Sequence, residues 1–581
     1  MKRYIAAAVL LTIIGLGFRL FIALHWPSDE PDDGRLYARI AINILEHRSY
    51  SIETEEPYPP TFIRVPGYPL MLAGIYALFG HENNRAVRAV QAVFDTITCW
   101  LIALLALAWA PSRNRTYGTY NSRRPLLLIT LALAVCCPFP AIYVGTILTE
   151  TCTILLATAC ALSGTLGMKS DNPRKSTGWF VLSGLTGGLA TLFRPDSGLF
   201  VAAVGFTVVV VGLYRAITRR RTERPASDVL SVAPGQILSR TILSGALLTI
   251  GFAIALTPWA IRNERVFGLF QPIAPAQANM PGEFVPNGYI GWLRTWVDDA
   301  RYTELVEFPL DQEQIHIKDM PEFAFDSTAE RDRVAELLEQ YNHPSSDSPS
   351  AQPPQPAPVP ETKPAEQLNE QRTEKQNDSQ KKSDVTAESD EDAPEEADSA
   401  DDEADTPDEA EPKPPVEMTP AVDAGFAELA HERIARNPIR YYLGVPLKRA
   451  ASMWFDTHSQ YYPFQGELLP LSDLDTDLHQ QYWLPLFAVL TFLYTGLGLI
   501  GAWLMWRDKS SRRWLLLLAL LIVPRLAMLA RMENPEPRYV VEYFAFVVAV
   551  AGIATLTLYD VLHSRIKHLF RPAGRSIQET D

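Results

Sequence analysis

The stretch LPLFAVLTFLYTGLGLIGAWLMW, residues 484–506, carries no charged side chain over a length that crosses a bilayer as a helix. About 20 apolar residues are needed to span a hydrocarbon core of roughly 30 Å. Tyr4–Trp26, Val87–Ala110 and Tyr539–Leu562 meet that length as well. The fold class is therefore all-α and polytopic. Tyr4–Trp26 is long for a signal peptide and no small-residue cleavage site follows it, so a retained first helix is expected.

Lys and Arg accumulate at Lys2/Arg3, Arg113–Arg124, Lys169–Lys175, Arg215–Arg224, Arg507–Arg513 and Arg565–Arg575. Short cytoplasmic loops retain such clusters. Placing all of them inside requires helices near 4–26, 87–110, 126–145, 148–167, 177–193, 196–214, 241–260, 484–506, 514–531 and 539–562. That is a bundle of about ten transmembrane helices with both termini cytoplasmic. Gly67–Gly80 is apolar but short, and counting it as a span would put Arg113–Arg124 outside. It is expected as an interfacial helix in the first outer loop.

The formal charge of −15 is concentrated rather than spread. Lys381–Pro420 holds sixteen Asp/Glu against three Lys, a net of −13. From His343 to Gly425 there is no Phe, Trp or Tyr, and Pro is frequent. Such a segment lacks the apolar surface to offset its ordering entropy. An inert tether, a Ca²⁺ buffer and a partner-binding tail all fit that composition. The chain accordingly divides into a transmembrane module at 1–260 with its first outer loop at 27–85, and an extracytoplasmic segment at 261–342. The acidic insertion at 343–425 and an amphipathic helical segment at 426–483 follow, then C-terminal helices and tail at 484–581. Within Phe426–Asp456, Arg and Lys alternate with apolar residues as in a helix resting on anionic lipid.

The five cysteines all lie in apolar segments, so no disulfide framework is expected. Asp473, Asp475 and Asp477 alternate as in a Ca²⁺ loop, but the required Gly and Glu are missing. No metal site is assigned, although a divalent ion remains compatible with the chemistry. P-loop, Rossmann glycine and Gly-x-Ser-x-Gly motifs are absent. That weighs against nucleotide-driven transport and serine hydrolysis, and no nucleic acid partner is expected.

The first outer loop is the richest in chemistry. Its Asp pair, Asp32 and Asp33, opens a helical pattern in which Tyr37 follows Asp33 by four and Leu36, Ile40 and Ile44 form a stripe. Asp is a favoured helix cap, so capping and catalysis compete at these positions. The same holds elsewhere. Arg194 before Pro195 suits either an anion or a helix end at the interface. Arg538 suits an anion or an intrahelical pair with Glu542. Glu150 suits an accessory role or a plain helix-start carboxylate. Arg64, in a loop, has fewer structural excuses. Asp95 and Arg525 are predicted inside the membrane, where charges are paired or functional, and a buried Asp95–Arg525 pair is expected.

These residues fall into an ordered set of motifs. They are Asp-x-x-x-Tyr-x-x-x-Ala-x-Asn-Ile-Leu (Asp33–Leu45), Arg-x-Pro-Gly-Tyr-Pro (Arg64–Pro69), Phe79–Gly80 and Ala-Val-Arg-x-x-Gln (Ala86–Gln91). Leu-Thr-Glu-Thr (Leu148–Thr151), Phe-Arg-Pro-Asp (Phe193–Asp196), Thr-Pro-Trp-x-x-Arg-Asn (Thr257–Asn263) and Pro-Glu-Pro-Arg-Tyr (Pro535–Tyr539) follow. Together they resemble the GT-C class of membrane glycosyltransferases, and most closely the family of bacterial aminoarabinose transferases and protein O-mannosyltransferases. The resemblance covers the helical parts, about three quarters of the chain, and leaves the insertion unexplained.

The resemblance implies an inverting glycosyltransferase that moves a sugar from a polyprenyl-phosphate donor to a lipid, protein or glycan acceptor. The active site would lie on the extracytoplasmic face of a cytoplasmic (inner) membrane. It implies Asp33 as general base, with Asp32 beside it. Arg64 corresponds to the family's basic residue near the donor phosphate, with Arg194 and Arg538 as further phosphate ligands and Tyr37 and Glu150 as accessory groups. The family often has Asp-Glu or a lone Asp here, so the Asp-Asp pair leaves the roles of Asp32 and Asp33 exchangeable. A transporter or lipid flippase lined by Asp95 and Arg525 is the rival reading, and a scaffold recruiting partners through the insertion is another.

Overall fold

A computed structural model of the chain describes residues 2–25, 32–111, 123–221, 233–275, 279–344, 416–456, 459, 461 and 480–569. Its secondary structure is helical throughout, with no strand among the described residues. In chain order the helices are α1 (Lys2–His25), α2 (Asp32–Glu46), α3 (Gly67–Phe79), α4 (Asn84–Trp109), α5 (Arg123–Val135), α6 (Pro138–Ile142) and α7 (Glu150–Lys169). Then come α8 (Pro173–Phe193), α9 (Gly198–Arg221), α10 (Pro234–Phe267), α11 (Asn287–Leu293), α12 (Ala300–Val306) and α13 (Thr328–Asn342). The last five are α14 (Pro420–Arg436), α15 (Val445–Phe455), α16 (Gln480–Arg507), α17 (Arg512–Leu529) and α18 (Val541–Leu569).

All ten expected spans correspond to helices, but they are not equivalent. Among the described residues seven helical stretches are long and apolar enough to cross a membrane, and the pair α5–α6 makes an eighth if its 47° bend is one broken span. The other two, α8 and α17, fall short for visible reasons. Helix α8 is rich in Gly, Ser and Thr. Helix α17 has 18 residues and includes Arg512, Arg513 and Arg525. The composition of α8 serves packing: a Cβ at Gly184 would meet Leu248 O at 2.0 Å, and one at Gly251 of α10 would meet Val181 O at 2.2 Å. Close backbone approach of this kind replaces hydrophobic burial as the glue between helices in lipid.

The expected Asp95–Arg525 pair does not form. Asp95 on α4 pairs with Arg19 of α1, both almost fully buried. Arg19 also donates to Ala134 O and Val135 O, each at 3.2 Å. Those carbonyls end α5 where the chain breaks before Pro138, and a helix end buried without partners is costly. Arg19 thus makes the bend tenable and Asp95 neutralises Arg19. The sequence hid this because Arg19 sits singly inside an otherwise apolar run. Arg525 has other partners, described below.

Helices α11–α14 form a small outer domain around an aromatic core that includes Tyr289, Trp292, Trp296, Tyr341 and Phe426. Arg433 is buried in it and pairs with Glu330 and, at 3.3 Å, with Asp326. The stretch 426–456 is therefore not one lipid-lying helix. Helix α14 buries Phe426, Leu429 and Ala430 in the domain, because the apolar face it carries has an aromatic partner there. Only the π-helical turn Arg440–Gly444 and α15 leave an apolar strip exposed.

Most of the acidic insertion, residues 345–415, lies outside the described residues, as do Asp473, Asp475 and Asp477. Packing against the domain begins ahead of Gly425, where the insertion was expected to end: Met418 is buried and Thr419 caps α14 through Val422 N. Glu417 N–H donates to Tyr341 O at 3.4 Å, so the chain leaves and re-enters the domain at neighbouring points.

Two outcomes follow from this packing. Asp95→Ala leaves Arg19 charged and unpaired, and breaking a buried pair costs roughly 3–5 kcal/mol, so the midpoint of thermal unfolding in detergent should fall sharply. An unchanged midpoint would refute the role given to the pair. Deleting 345–415 should leave thermal stability unchanged, whereas extending the deletion through Pro420 should lower it by removing Met418 and the Thr419 cap.

Candidate active site

Most of the side chains that the sequence singled out meet at one end of the bundle. Asp33 lies in the first turn of α2, and its Oδ1 accepts from Arg64 Nη2 at 3.2 Å. Its Oδ2 accepts from Arg538 Nη2 at 3.1 Å. The carboxylate therefore bridges two guanidiniums that come from chain positions far apart. Asp32 opens α2, and its side chain lies outside the described residues.

Each guanidinium is held by a local device. The loop bearing Arg64 is fixed by Arg262, which donates to Thr61 O at 2.7 Å and faces the rings of Tyr50, Trp259 and Phe267. Tyr50 hydroxyl donates to Arg64 O at 3.1 Å. Gly67 permits the next contact, since a Cβ there would meet Leu192 O at 2.5 Å. That close approach brings the start of α3 against the end of α8, where Arg194 follows.

Arg538 lies in a 3₁₀ turn, Pro537–Val540, ahead of α18. The intrahelical Arg538–Glu542 pair, one of the two roles that the spacing left open, does not form, and Arg538 bonds Asp33 instead. The change of helix type between the two residues removes the α-helical spacing on which that expectation rested. Arg538 faces the rings of Tyr461 at 4.4 Å and Tyr539 at 5.1 Å.

Arg194 contacts Glu150 Oε1 at 3.1 Å, Glu542 Oε1 at 3.2 Å and Asp196 Oδ1 at 3.5 Å. Arg525, fully buried, donates to Asp196 Oδ2 at 2.7 Å, to Glu542 Oε2 at 3.1 Å and to Tyr539 O at 2.8 Å. Tyr539 joins the two groups, because the Arg194 guanidinium also faces its ring at 5.1 Å. Four carboxylates, Asp33, Glu150, Asp196 and Glu542, thus balance four arginines, Arg64, Arg194, Arg525 and Arg538. Asp196, Arg525, Tyr539 and Glu542 were not assigned to the site from sequence. Asp196 and Tyr539 stood inside the motifs, and Arg525 was flagged only as an intramembrane charge.

Two polar atoms in this network have no hydrogen-bond partner among the described residues: Glu150 Oε2 and Arg538 Nε. Buried unsatisfied groups are rare and ask for a ligand, a water or a functional reason. At Asp33, burial pushes the carboxyl up, but the charges of Arg538 and Arg64 outweigh it and hold it below the ordinary carboxylate range. Tyr37, four residues on, is partly buried, and desolvation with the Asp33 charge pushes its hydroxyl up. Its ring packs edge-on to Tyr68 at 5.3 Å. Each carboxylate here is committed to a guanidinium, and among the described residues no cluster of three or more His, Cys, Asp or Glu is placed to hold a metal. The donor set fits an anionic ligand better than a cation.

Several motif residues turn out to be structural. Gln91 accepts from Tyr68 hydroxyl at 2.8 Å and donates to Thr146 O at 2.8 Å. Arg88 donates to Gly145 O at 2.9 Å. Both fasten the segment that leads into Glu150. Asn43 donates to Ser51 O and Glu53 O, each at 2.9 Å, closing the turn after α2.

No family model matches the chain, and no curated protein matches it. Solved structures do. The Archaeoglobus fulgidus oligosaccharyltransferase in complex with Zn and sulfate is 12% identical with a TM-score of 0.42, over 97% of this chain and 50% of that one. The same organism's AglB, with an inhibitory peptide and a dolichol-phosphate, is 12% identical with a TM-score of 0.39, over 98% and 52%. ArnT from Cupriavidus metallidurans, bound to undecaprenyl phosphate, is 13% identical with a TM-score of 0.34, over 98% and 81%. The chain thus spans about half the length of the archaeal proteins. These neighbours are GT-C proteins, the class that the sequence motifs resemble. At such identities and TM-scores the likeness carries no argument about activity, which rests on the site itself.

The depressed Asp33 carboxyl has a consequence for acid stability. Its unfolded value is about 3.9, so the stabilisation it contributes is complete above that pH and is lost as pH falls through the lower folded value. Asp33→Asn should therefore flatten the acid limb of unfolding temperature against pH below about pH 4. A variant that keeps the wild-type acid limb would refute the ion-pair assignment.

Proposed function

We propose that the chain is an inverting glycosyltransferase that takes a sugar from a polyprenyl monophosphate and passes it to an acceptor outside the cytoplasm. The observation that carries this reading is Asp33 held between Arg64 and Arg538, with Arg538 Nε unfilled. Two cations sharing one carboxylate form a site that an incoming phosphate competes for. When the donor phosphate engages Arg64 and Arg538, with Arg194 behind them, Asp33 loses the charges that depress its basicity. The base is then released where it is needed.

In the reaction, the acceptor hydroxyl oxygen attacks the anomeric carbon from the face opposite the phosphate. The bond from that carbon to the phosphate oxygen breaks, and its electron pair leaves with the lipid phosphate. Asp33 takes the acceptor proton. The arginines stabilise charge developing on the leaving phosphate, in a site where burial strengthens each interaction. The Lys and Arg clusters, which set the first loop opposite the cytoplasm, favour a multi-pass protein of the cytoplasmic membrane working on its extracytoplasmic face. Transport through Asp95 and Arg525 has little support, since each is locked in a neutral pair or cluster.

Asp33→Asn should lower the rate of single-turnover sugar transfer by about 10²–10⁴-fold while the protein, reconstituted in nanodiscs, still retains radiolabelled polyprenyl-phosphate sugar. Arg538→Gln should weaken that retention. Undiminished transfer by Asp33→Asn would sink the assignment of the base.

A further inference from the structure

A cleft with about 270 Å³ of free space lies in the outer domain, lined by Trp296, Phe323, Asp298, Arg440 and Lys448 together with Gly444 and Val445. At roughly 30 Å³ per molecule that space would hold about nine waters, close to the lower end of ligand pockets. Trp296 and Phe323 stand edge to face at 6.3 Å and 70°, forming a right-angled aromatic corner. Trp296 is 1% exposed, yet its indole Nε1 has no hydrogen-bond partner among the described residues. A buried Trp usually places its N–H on an acceptor. Trp292 shares the orphaned N–H but is packed between Trp296 and Phe426 in the core. The ring of Trp296 borders the cleft, while its Nε1, like that of Trp292, is shielded from water.

The rim is polar without being an anion trap. Lys448 is paired with Asp298 at 3.0 Å, and Arg440 with Asp326 at 2.8 Å. Both cations are already neutralised, so a phosphate would have to displace a carboxylate to bind. Interleaved donors and acceptors around an aromatic corner instead match a polyhydroxylated ring, which has an apolar C–H face and a rim of hydroxyls. Beside the cleft, Ile439, Tyr442, Leu443 and Leu447 are 58–72% exposed. That strip suits a lipid surface, which sets the cleft at the level where membrane-proximal glycans lie.

Helix α15 connects this cleft to the ion-pair site. Val445 and Lys448, near its start, line the cleft. Met453 and Trp454, near its end, line a narrow pocket with Pro537 and Val540, the residues flanking Arg538 and Tyr539. Nine residues at about 1.5 Å each separate Val445 from Trp454, or roughly 13 Å. We propose that the Trp296–Phe323 cleft is an acceptor subsite that binds a carbohydrate chain of several rings, one end at Asp33 and a more distant ring in the aromatic corner. The inference rests on the glycosyl-transfer reading and names the acceptor class for it.

The test uses full-length protein in nanodiscs and, as probe, the oligosaccharide pool released by mild acid from the producing cell's envelope. Retained species are read by mass spectrometry. Wild type should retain multi-ring saccharides. Lys448→Met, which keeps the stem and removes the rim donor, should weaken retention about tenfold, the weight of a single hydrogen bond at the upper end of its usual range. Phe323→Ala and Lys448→Ala, at exposed positions where folding is not at stake, should weaken it as well. Absence of retention by wild type, equal retention by all cleft variants, or full displacement of the bound material by inorganic phosphate would overturn the proposal. A parallel transfer assay separates the two readings: retention without any sugar transfer by wild type would refute the enzyme while leaving the cleft a saccharide site.

Discussion

The structure depends on keeping eight charges in balance at one end of a helical bundle. A lone carboxylate or guanidinium in a poorly solvated place is expensive, and it becomes tolerable only when paired and hydrogen-bonded. Here the balance is reached by sharing rather than by isolated pairs. Glu542 serves Arg194 and Arg525, Asp196 serves the same two, and Asp33 serves Arg64 and Arg538. Asp33 is satisfied only when α2, the loop at Arg64 and the turn before α18 meet, and Arg194 and Arg525 only when the start of α7, the end of α8, α17 and the start of α18 meet. The network therefore couples the folding of the bundle to the assembly of the site.

How much of this was legible in the sequence follows from distance along the chain. The helical class, the short α3 and the helix starting at the Asp pair rest on local periodicity, and the model has each of them. Arg64, Arg194, Arg538 and Glu150 stand out because cations and carboxylates at outer helix ends are few. Their partners did not emerge, since Asp33 and Arg538 are 505 residues apart and nothing local links them. Local reasoning misled in two instances. The spacing of Arg538 and Glu542 suggested an α-helical pair across a junction where the helix is 3₁₀, and Asp95 was matched to Arg525 because Arg19 hides inside an apolar run.

The motifs divide into two kinds of work. Asp33, Arg64, Glu150, Arg194, Asp196, Arg538 and Tyr539 supply the charges and the ring between them. Asn43, Gly67, Arg88, Gln91 and Arg262 bind carbonyls or allow backbone contact, and so hold the loops that carry those charges. Backbone outside helices cannot satisfy its own polar groups near lipid, so side chains must do so. Residues of both kinds look alike in a sequence, because an Arg that caps carbonyls and one that binds phosphate obey the same chemistry. Only the partners separate them.

The network is balanced but not complete, and that incompleteness has a direction. Among the described residues, Arg538 Nε and Glu150 Oε2 are buried without partners, one a donor and one an acceptor. A purely structural cluster gains by closing such gaps, since each unsatisfied group costs about 1–3 kcal/mol. Arg525, which only ties helices together, has every guanidinium nitrogen bonded to a carboxylate or a carbonyl. The gap falls instead at Arg538, beside the partly exposed Asp33 and Arg64. An anion entering there adds negative charge to a neutral cluster, so it must draw a cation from an existing carboxylate. Asp33, the most solvent-exposed of the four carboxylates, is the one that can give up a cation at least cost, because water is at hand to take the cation's place. The same exposure leaves it open to an acceptor hydroxyl.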